Sequence, residues 1–418
     1  MADNDVEVVV IGGGAAGVAA AKRLHEASVR CLLVEARPRL GGRAWTVLDE
    51  NGHALDLGCG WLHSADRNPW AGIAERLGFI IDKTPPPWMN KQPLEVNFSR
   101  ADYDAFRRAF GEFYERVEAA ARAKADAPAS TLLDPGNRWN ALIDAMGTYI
   151  SGAELEKVSL LDFDNYHNTN INWRVREGYG ALISAYGAEL PVLFDCPVHR
   201  IDHGGKRLSI QTSKGLIAAD RIVVTVPSAI LAAERIRFTP PLPHKIEAAH
   251  GLPLGNADKV FMALEDAEQF PASTRVFAHK DRVATAGYHF RPFGWPIIEA
   301  YFGGSCAAQL EAGGDEAFFD FAVAELAGVF GGDFVRRVKP LRVHRWGSDP
   351  FALGSYSYAV PGRADRRARL AEPVDNRLFF AGEACSLHDF STAHGAYLTG
   401  VAAADGVIAA RGAVRVAI

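Results

Sequence analysis

Cysteine is scarce and scattered in this chain. Cys31, Cys59, Cys196, Cys306 and Cys385 are the whole set, and no two of them stand at C-x-x-C spacing. That pattern argues against a thiolate zinc site and a disulfide framework, and it fits a reducing compartment, so a cytoplasmic protein is expected. Long apolar runs are missing too: no stretch reaches the roughly eighteen residues that a spanning helix needs. Asp3, Asp5 and Glu7 stand where a secretory leader would be basic, so no signal peptide and no membrane anchor are expected. Dense blocks of Lys and Arg are absent, and 45 basic against 50 acidic residues leave a formal charge of −5, the wrong sign for a nucleic-acid partner. Internal repeats and low-complexity tracts are not found. What remains is a globular composition over 418 residues, too long for one ordinary core and expected to form two domains.

The chain is organised around Val6 to Thr46. Val8, Val9, Val10 and Ile11 form a short β-branched run that reads as a strand buried on both faces. Gly12, Gly14 and Gly17 follow at G-x-G-x-x-G spacing, and Ala15 to Glu26 reads as an alanine-rich helix. The first glycine allows a tight turn, the second lets a pyrophosphate approach the backbone, and the third lets helix and strand pack closely. Unpaired N–H groups at the helix start then face the phosphates. A second apolar run, Cys31 to Val34, ends in Glu35, about where an acceptor for ribose hydroxyls belongs. Strand, helix, second strand and acid together predict a dinucleotide site, without separating NAD from FAD.

The next residues do separate them. Glu35-Ala36-Arg37 followed by Gly41-Gly42-Arg43 resembles the E-A-x-x-R-x-G-G-R segment of flavoproteins of the monoamine oxidase and polyamine oxidase family. Ala219 to Pro227 and the block Phe379 to Gly400, FFAGEACSLHDFSTAHGAYLTG, resemble two further segments of that family, in the same order. The resemblance spans essentially the whole chain and is weakest over residues 85–175. It implies an α/β fold, with a Rossmann-type FAD-binding domain and a discontinuous α+β substrate-binding domain. The expected division is 1–84, 190–240 and 344–418 for FAD, and 85–189 and 241–343 for the substrate. It implies FAD contacts from Gly12, Gly14, Ala16 and Gly17, from Glu35, Ala36 and Arg37, and from Gly42 and Arg43. Gly58, Cys59, Gly60 and Trp61 are expected near the ring, and Val198 near the adenine. Gly382, Glu383, Thr392 and Ala393 close the set at the start of the last helix.

Candidate reactive residues follow from the same comparison. Lys259 lies in NADKVFMAL, where both strand faces beyond it are apolar, and it matches the family lysine that holds a water against flavin N5. Tyr356 matches one wall of the family's aromatic cage before the flavin, and Trp346 matches the tryptophan that packs by the flavin ring as part of the cofactor site. Ser355 stands where mammalian monoamine oxidases attach flavin through cysteine, so the FAD is expected to be non-covalent. Thr392 replaces the second cage tyrosine, which leaves that cage half open. His63, after Trp61, matches a channel histidine of polyamine oxidases. Asp162 and Asp164 offer a carboxylate to a distal ammonium, although a solvated or capping role is the commoner fate of such acids.

The expected function is FAD-dependent oxidation of a small-molecule amine. Hydride passes from the α-carbon to the flavin, the imine hydrolyses, and O2 is reduced to H2O2; the expected assembly is a monomer or homodimer. An L-amino-acid oxidase on the same fold is the alternative, with Arg174 or Arg291 as a carboxylate clamp. A flavin-bound interaction module without turnover is the third reading, and the set of Lys259, Trp346 and Tyr356 speaks against it.

Overall fold

The computed structural model describes residues 5–89 and 94–416. Val8, Val9 and Val10 are wholly buried, so β1 (Asp5–Ile11) is a central strand, as its β-branched run predicts. It turns at Gly12 into α1 (Ala15–Glu26), and β2 (Cys31–Val34) runs parallel beside it. The turn admits no larger residue. Gly12 has φ +103°, and a Cβ on Gly17 would stand 1.7 Å from the Gly12 carbonyl oxygen.

A small hairpin of β3 (Thr46–Leu48) and β4 (Ala54–Asp56) precedes α2 (Pro69–Arg76). Asn68 caps that helix by accepting from Trp70 N, and Pro69 fits its first turn. After β5 (Ile81–Asp82) come α3 (Arg100–Arg122), α4 (Asn140–Ser151) and α5 (Leu160–Asn165). Ser99 and Asp102 form a capping box on α3, and its stripe of Phe106, Phe113 and Val117 is buried. β6 (Arg174–Val175) pairs with β5, and α6 (Tyr179–Tyr186) follows. Next are β7 (Val192–Leu193), β8 (Val198–Asp202), β9 (Leu208–Thr212), β10 (Gly215–Val224), α7 (Ser228–Ala232), β11 (Arg237–Thr239) and α8 (Pro243–His250).

A second group begins with β12 (Ala257–Leu264), β13 (Thr274–Phe277), β14 (Gly287–Phe290) and β15 (Ile297–Gly303). Helices α9 (Gly304–Gly313) and α10 (Asp315–Phe330) lead into β16 (Val338–His344). The chain closes through α11 (Arg366–Ala371), β17 (Leu378–Phe380) and α12 (Ala393–Val416).

Two large sheets result. The first has the order β11-β8-β9-β10-β1-β2-β7, with β17 also pairing with β10, and its central pairs β10–β1 and β1–β2 are parallel. The second, β13-β14-β15-β12-β16, is antiparallel throughout. Helix α6 packs Tyr179, Leu182 and Ile183 into the core that holds Val18 and Leu24 of α1. Ala248 and Ala249 of α8 join Ile222 and Phe380 in the core on the other face of that sheet. Both helices therefore pack with the first sheet, although they fall in segments that the sequence-based division gives to the substrate side. Among the described residues no helix is long and apolar enough to cross a membrane.

Candidate active site

One cavity of about 1250 Å³ runs from the β1–α1 turn to the face of the second sheet that carries Lys259. It exceeds the roughly 300–1,000 Å³ of a pocket for one small ligand, so a dinucleotide and a substrate fit together. The site residues expected from the sequence line it, except Gly17, Asp164 and the two clamp candidates Arg174 and Arg291. Gly17 acts one layer behind, by the close packing described above.

At the nucleotide end, the α1 N-cap Gly14 supplies no side-chain cap, so first-turn N–H groups are left to a ligand. Glu35, at the end of β2, accepts from Gly13 N at 2.5 Å and Arg37 N at 2.8 Å. Burial pushes its pKa above the ordinary carboxyl value, outweighing those bonds, so this acid gains from further hydroxyl donors. The Arg37 guanidinium pairs with Asp349, and Arg43 donates to Ser355 O at 2.6 Å and Glu383 Oε1 at 3.0 Å. Glu383 also accepts from Ser357 Oγ at 2.6 Å and Ser391 N at 3.0 Å. Burial alone would raise its pKa, but Arg43, Ser357 and Arg367 hold it below the ordinary value. Val198, Gly382 and Ala393 line the same half, and Ser355 spends its hydroxyl on Gly255 O at 2.7 Å.

At the other end the second sheet presents its face row by row. Lys259, Tyr301 and Gly287 are register partners on β12, β15 and β14. Two residues along, and so on the same face, Phe261, Glu299, His289 and Arg275 form the next row. Lys259 Nζ donates to Asp56 O at 3.0 Å and pairs with Glu299 Oε1 at 2.9 Å. The other carboxylate oxygen of Glu299 pairs with Arg174 Nη1 at 3.0 Å. Burial would raise the Glu299 pKa, but Arg174 and Lys259 together hold it well below the carboxylate range.

Around this face, Trp346 is buried with its indole Nε1 donating to Leu57 O at 3.0 Å. A Cβ on Gly58 would meet that ring at 3.0 Å. Tyr356 donates its hydroxyl to Tyr149 O and lies 3.0 Å from Tyr301 Oη, so Tyr301 is the donor of that second pair. Trp61 stands 4.7 Å from Trp88, ring to ring. Burial raises the Cys59 thiol to about 12 and leaves it inert. His63 places Nδ1 2.7 Å from Asn172 Oδ1. An amide oxygen only accepts, so Nδ1 carries the hydrogen and Nε2 offers a lone pair. Burial pushes this imidazole down to about 4, so it is neutral near pH 7. Thr392 accepts from Gly395 N at 2.9 Å and donates to Asp389 O at 2.6 Å, which makes it the N-cap of α12 as well as a wall of the cavity.

Three expectations are corrected here. Asp164 is exposed on α5 and lies outside the cavity lining. Asp162 reaches the cavity, but Arg367 takes both its oxygens, at 2.6 and 2.8 Å. The suggested clamps are also committed: Arg174 to Glu299, and Arg291 to the Phe270 and Gly294 carbonyls. The residues that sequence reasoning missed are Glu299, Tyr301, Tyr149 and Asn172. Glu299 had a signal, as the lone charge in the apolar run Ile297 to Phe302. The tyrosines and Asn172 had none.

The family described as flavin-containing amine oxidoreductase matches residues 15–408. Probable polyamine oxidase 4 of Arabidopsis thaliana is 31% identical, over 96% of this chain and 87% of its own length. Polyamine oxidase 2 of the same plant is 30% identical, over 97% and 88%. Lysine-specific histone demethylase 1 homolog 3 of Oryza sativa subsp. indica is 28% identical, over 94% of this chain and 53% of its own length.

Proposed function

This chain belongs to the flavin-containing amine oxidoreductase family, and on that premise we propose a non-covalent FAD enzyme with O2 as its electron acceptor. The activity is oxidation of an amine at its CH–NH or CH–NH2 group. The observation that carries the finer reading is the single cavity, with Glu35 and the α1 N-terminus at one end and Lys259, Trp346 and Tyr356 at the other. Bound there, FAD would supply a hydride acceptor for the amine's α-carbon and a route for the electrons to O2, giving H2O2 and an imine that water hydrolyses to an aldehyde or ketone.

The chain's own residues divide the remaining work. Glu35 would accept the ribose hydroxyls, and the Gly12 to Ala16 backbone with Arg43 would hold the pyrophosphate. Val198 would face the adenine, and Glu383 and the first turn of α12 the ribityl chain and ring. Trp346, Tyr356 and Tyr301 exclude water from the reacting carbon. Lys259 has two of its three donors committed, which leaves one for a cavity water.

The amine must reach the reacting position neutral. Deprotonating an amine of pKa near 10 at pH 7 costs roughly 4 kcal/mol. Glu299 is already matched by Lys259 and Arg174. It therefore stabilises no substrate ammonium, and the two cations disfavour one. The neutral Nε2 of His63 accepts from the amine N–H. The amino-acid oxidase reading loses ground because neither clamp candidate is free.

Acid precipitation of the purified protein tests the cofactor, and a peroxide-coupled screen of amines tests the acceptor. FAD released to the supernatant, with peroxide formed under air, is expected. Flavin retained on the precipitate, or a mononucleotide in its place, overturns the first half. Amine-driven flavin reduction without peroxide overturns the second.

A further inference from the structure

The acids lining the cavity are already engaged. Glu35 and Glu383 serve the nucleotide end, Asp162 is bound by Arg367, and Glu299 is shared by Lys259 and Arg174. A second ammonium, as on a diamine or polyamine, thus meets no uncommitted carboxylate among the described lining residues. One cation on the same wall has the opposite character. Arg275 is the register partner of His289 on the cavity face of the second sheet. Among the described residues no carboxylate pairs with it. Its Nη2 has the Met146 thioether at 3.0 Å, a weak acceptor, and its Cζ lies 4.2 Å from the Phe277 ring centroid. Burial lowers its pKa only to about 10, so the charge persists at neutral pH. The Arg275 side chain is half-buried and opens onto the cavity, and a guanidinium there without a counterion gains a charge-assisted pair from a ligand carboxylate.

Gly287 gives this guanidinium its path. A Cβ there would lie 3.7 Å from Arg275 Nη2 and 3.4 Å from the Tyr149 ring, so any longer side chain would fill the gap between them. Arg107 of α3 lines the cavity as a second cation without an ion pair among the described residues.

We propose that Arg275 is a carboxylate-binding subsite, and that the amine oxidised here carries a carboxylate at the end remote from its reacting carbon. The proposal rests on the amine-oxidase reading for the reacting end only. Arg275 reaches back to Gly287 on β14, its Nη2 3.7 Å from a Cβ placed there, so the guanidinium stands two strands from β12, about 10 Å at roughly 4.8 Å per strand, which is too far for the carboxylate of an α-amino acid. The class is therefore an amino acid with several bonds between amine and carboxylate. It is neither an α-amino acid nor a polyamine.

The test begins with binding to the flavin-loaded protein, without turnover. The flavin absorbance is titrated with 4-phenylbutanoate and with 4-phenylbutanamide, which are nearly isosteric and differ in charge and in one acceptor exchanged for a donor. Wild type should bind the acid about tenfold or more tightly than the amide, as a charge-assisted pair predicts. Arg275→Gln should bring that ratio close to one, and Arg275→Lys should keep part of it. Equal affinities in wild type, or an undiminished ratio in Arg275→Gln, overturn the subsite whether or not any amine is oxidised. In turnover, 6-aminohexanoate should exceed 1,6-diaminohexane in kcat/KM, and the reverse order overturns the proposal. If neither is oxidised while the acid–amide ratio holds, the subsite stands and the reading of the reacting end fails.

Discussion

His63 shows how one buried side chain sets a pH response. Its imidazole titrates near 4 in the folded chain because burial disfavours the cation, against about 6.5 when exposed. The neutral form thus persists from pH 8 down to about 5, and no limb of the kcat/KM profile in that range belongs to it. The profile should instead rise about tenfold per pH unit up to the pKa of the substrate amine. Replacing a substrate of pKa near 10 with one near 8 should move the limb down by about two units, and a limb that stays at 6–7 would return the titration to a protein group. The stability effect has the opposite bearing on pH. Above about 6.5 both folded and unfolded chains hold His63 neutral. Stability is lost as pH falls from there toward 4, since only the unfolded chain gains the proton readily. A second residue-scale prediction concerns Glu35, whose two backbone bonds also shape the turn. Glu35→Ala should weaken FAD binding about 10- to 100-fold, read by equilibrium dialysis, since each ribose bond to a charged acceptor is worth about 1.5–3 kcal/mol. The cavity positions of Glu35 and Lys259 were legible, the first from the glycine-motif spacing and the second from the family resemblance. The pair Asp162 and Asp164 was not, because two residues on a helix differ by about 200° in direction. Asp162 turns inward to Arg367, and Asp164 turns out to solvent.

At the scale of an element, α12 begins at the point where the cavity wall needs a particular shape. Thr392 sits in both: its hydroxyl caps the helix through Gly395 N, and the residue lines the cavity. Thr392→Val preserves the shape and removes the cap, so unfolding free energy should fall by about 1 kcal/mol, while Thr392→Ser should restore most of it. Thr392→Tyr should lose the same cap and also narrow the space before the flavin, turning preference toward small flat arylalkylamines. Denaturant melts and relative kcat/KM separate the two effects. Unchanged stability in Thr392→Val would remove the capping role. Elements with their own local pattern were readable: the β-branched β1, the alanine-rich α1 and the apolar β2. The short pair β5 and β6 was not, since each has two residues and the partner stands more than ninety residues away in sequence. Nor did sequence locate α6, because its apolar face fits either core, and only the contacts of Tyr179, Leu182 and Ile183 place it against α1.

At the scale of the molecule, Lys259 connects the two halves. It rises from the second sheet and donates to the carbonyl of Asp56, whose carboxylate accepts from Tyr179 N at the start of α6, a helix in the core of the first sheet. Its ammonium therefore has two separable consequences. One is structural: Lys259→Met leaves Glu299 with Arg174 alone as a strong partner, and breaking a buried pair is costly, so the melting temperature should fall. The other is chemical. If the free donor of Lys259 holds a water before the flavin, hydride transfer from the amine does not need it, whereas reoxidation by O2 does. Stopped-flow absorbance of flavin-loaded Lys259→Met should show anaerobic reduction by amine changed modestly and reoxidation slowed about 10²–10³-fold, the usual effect of losing one preorganised electrostatic group. Glu299→Gln supplies the control, since it breaks the same ion pair and leaves the lysine in place. A reoxidation rate that falls equally in both variants would trace the effect to the joint between the halves, and an untouched rate in Lys259→Met would leave this lysine as a strut and remove its support for O2 as acceptor.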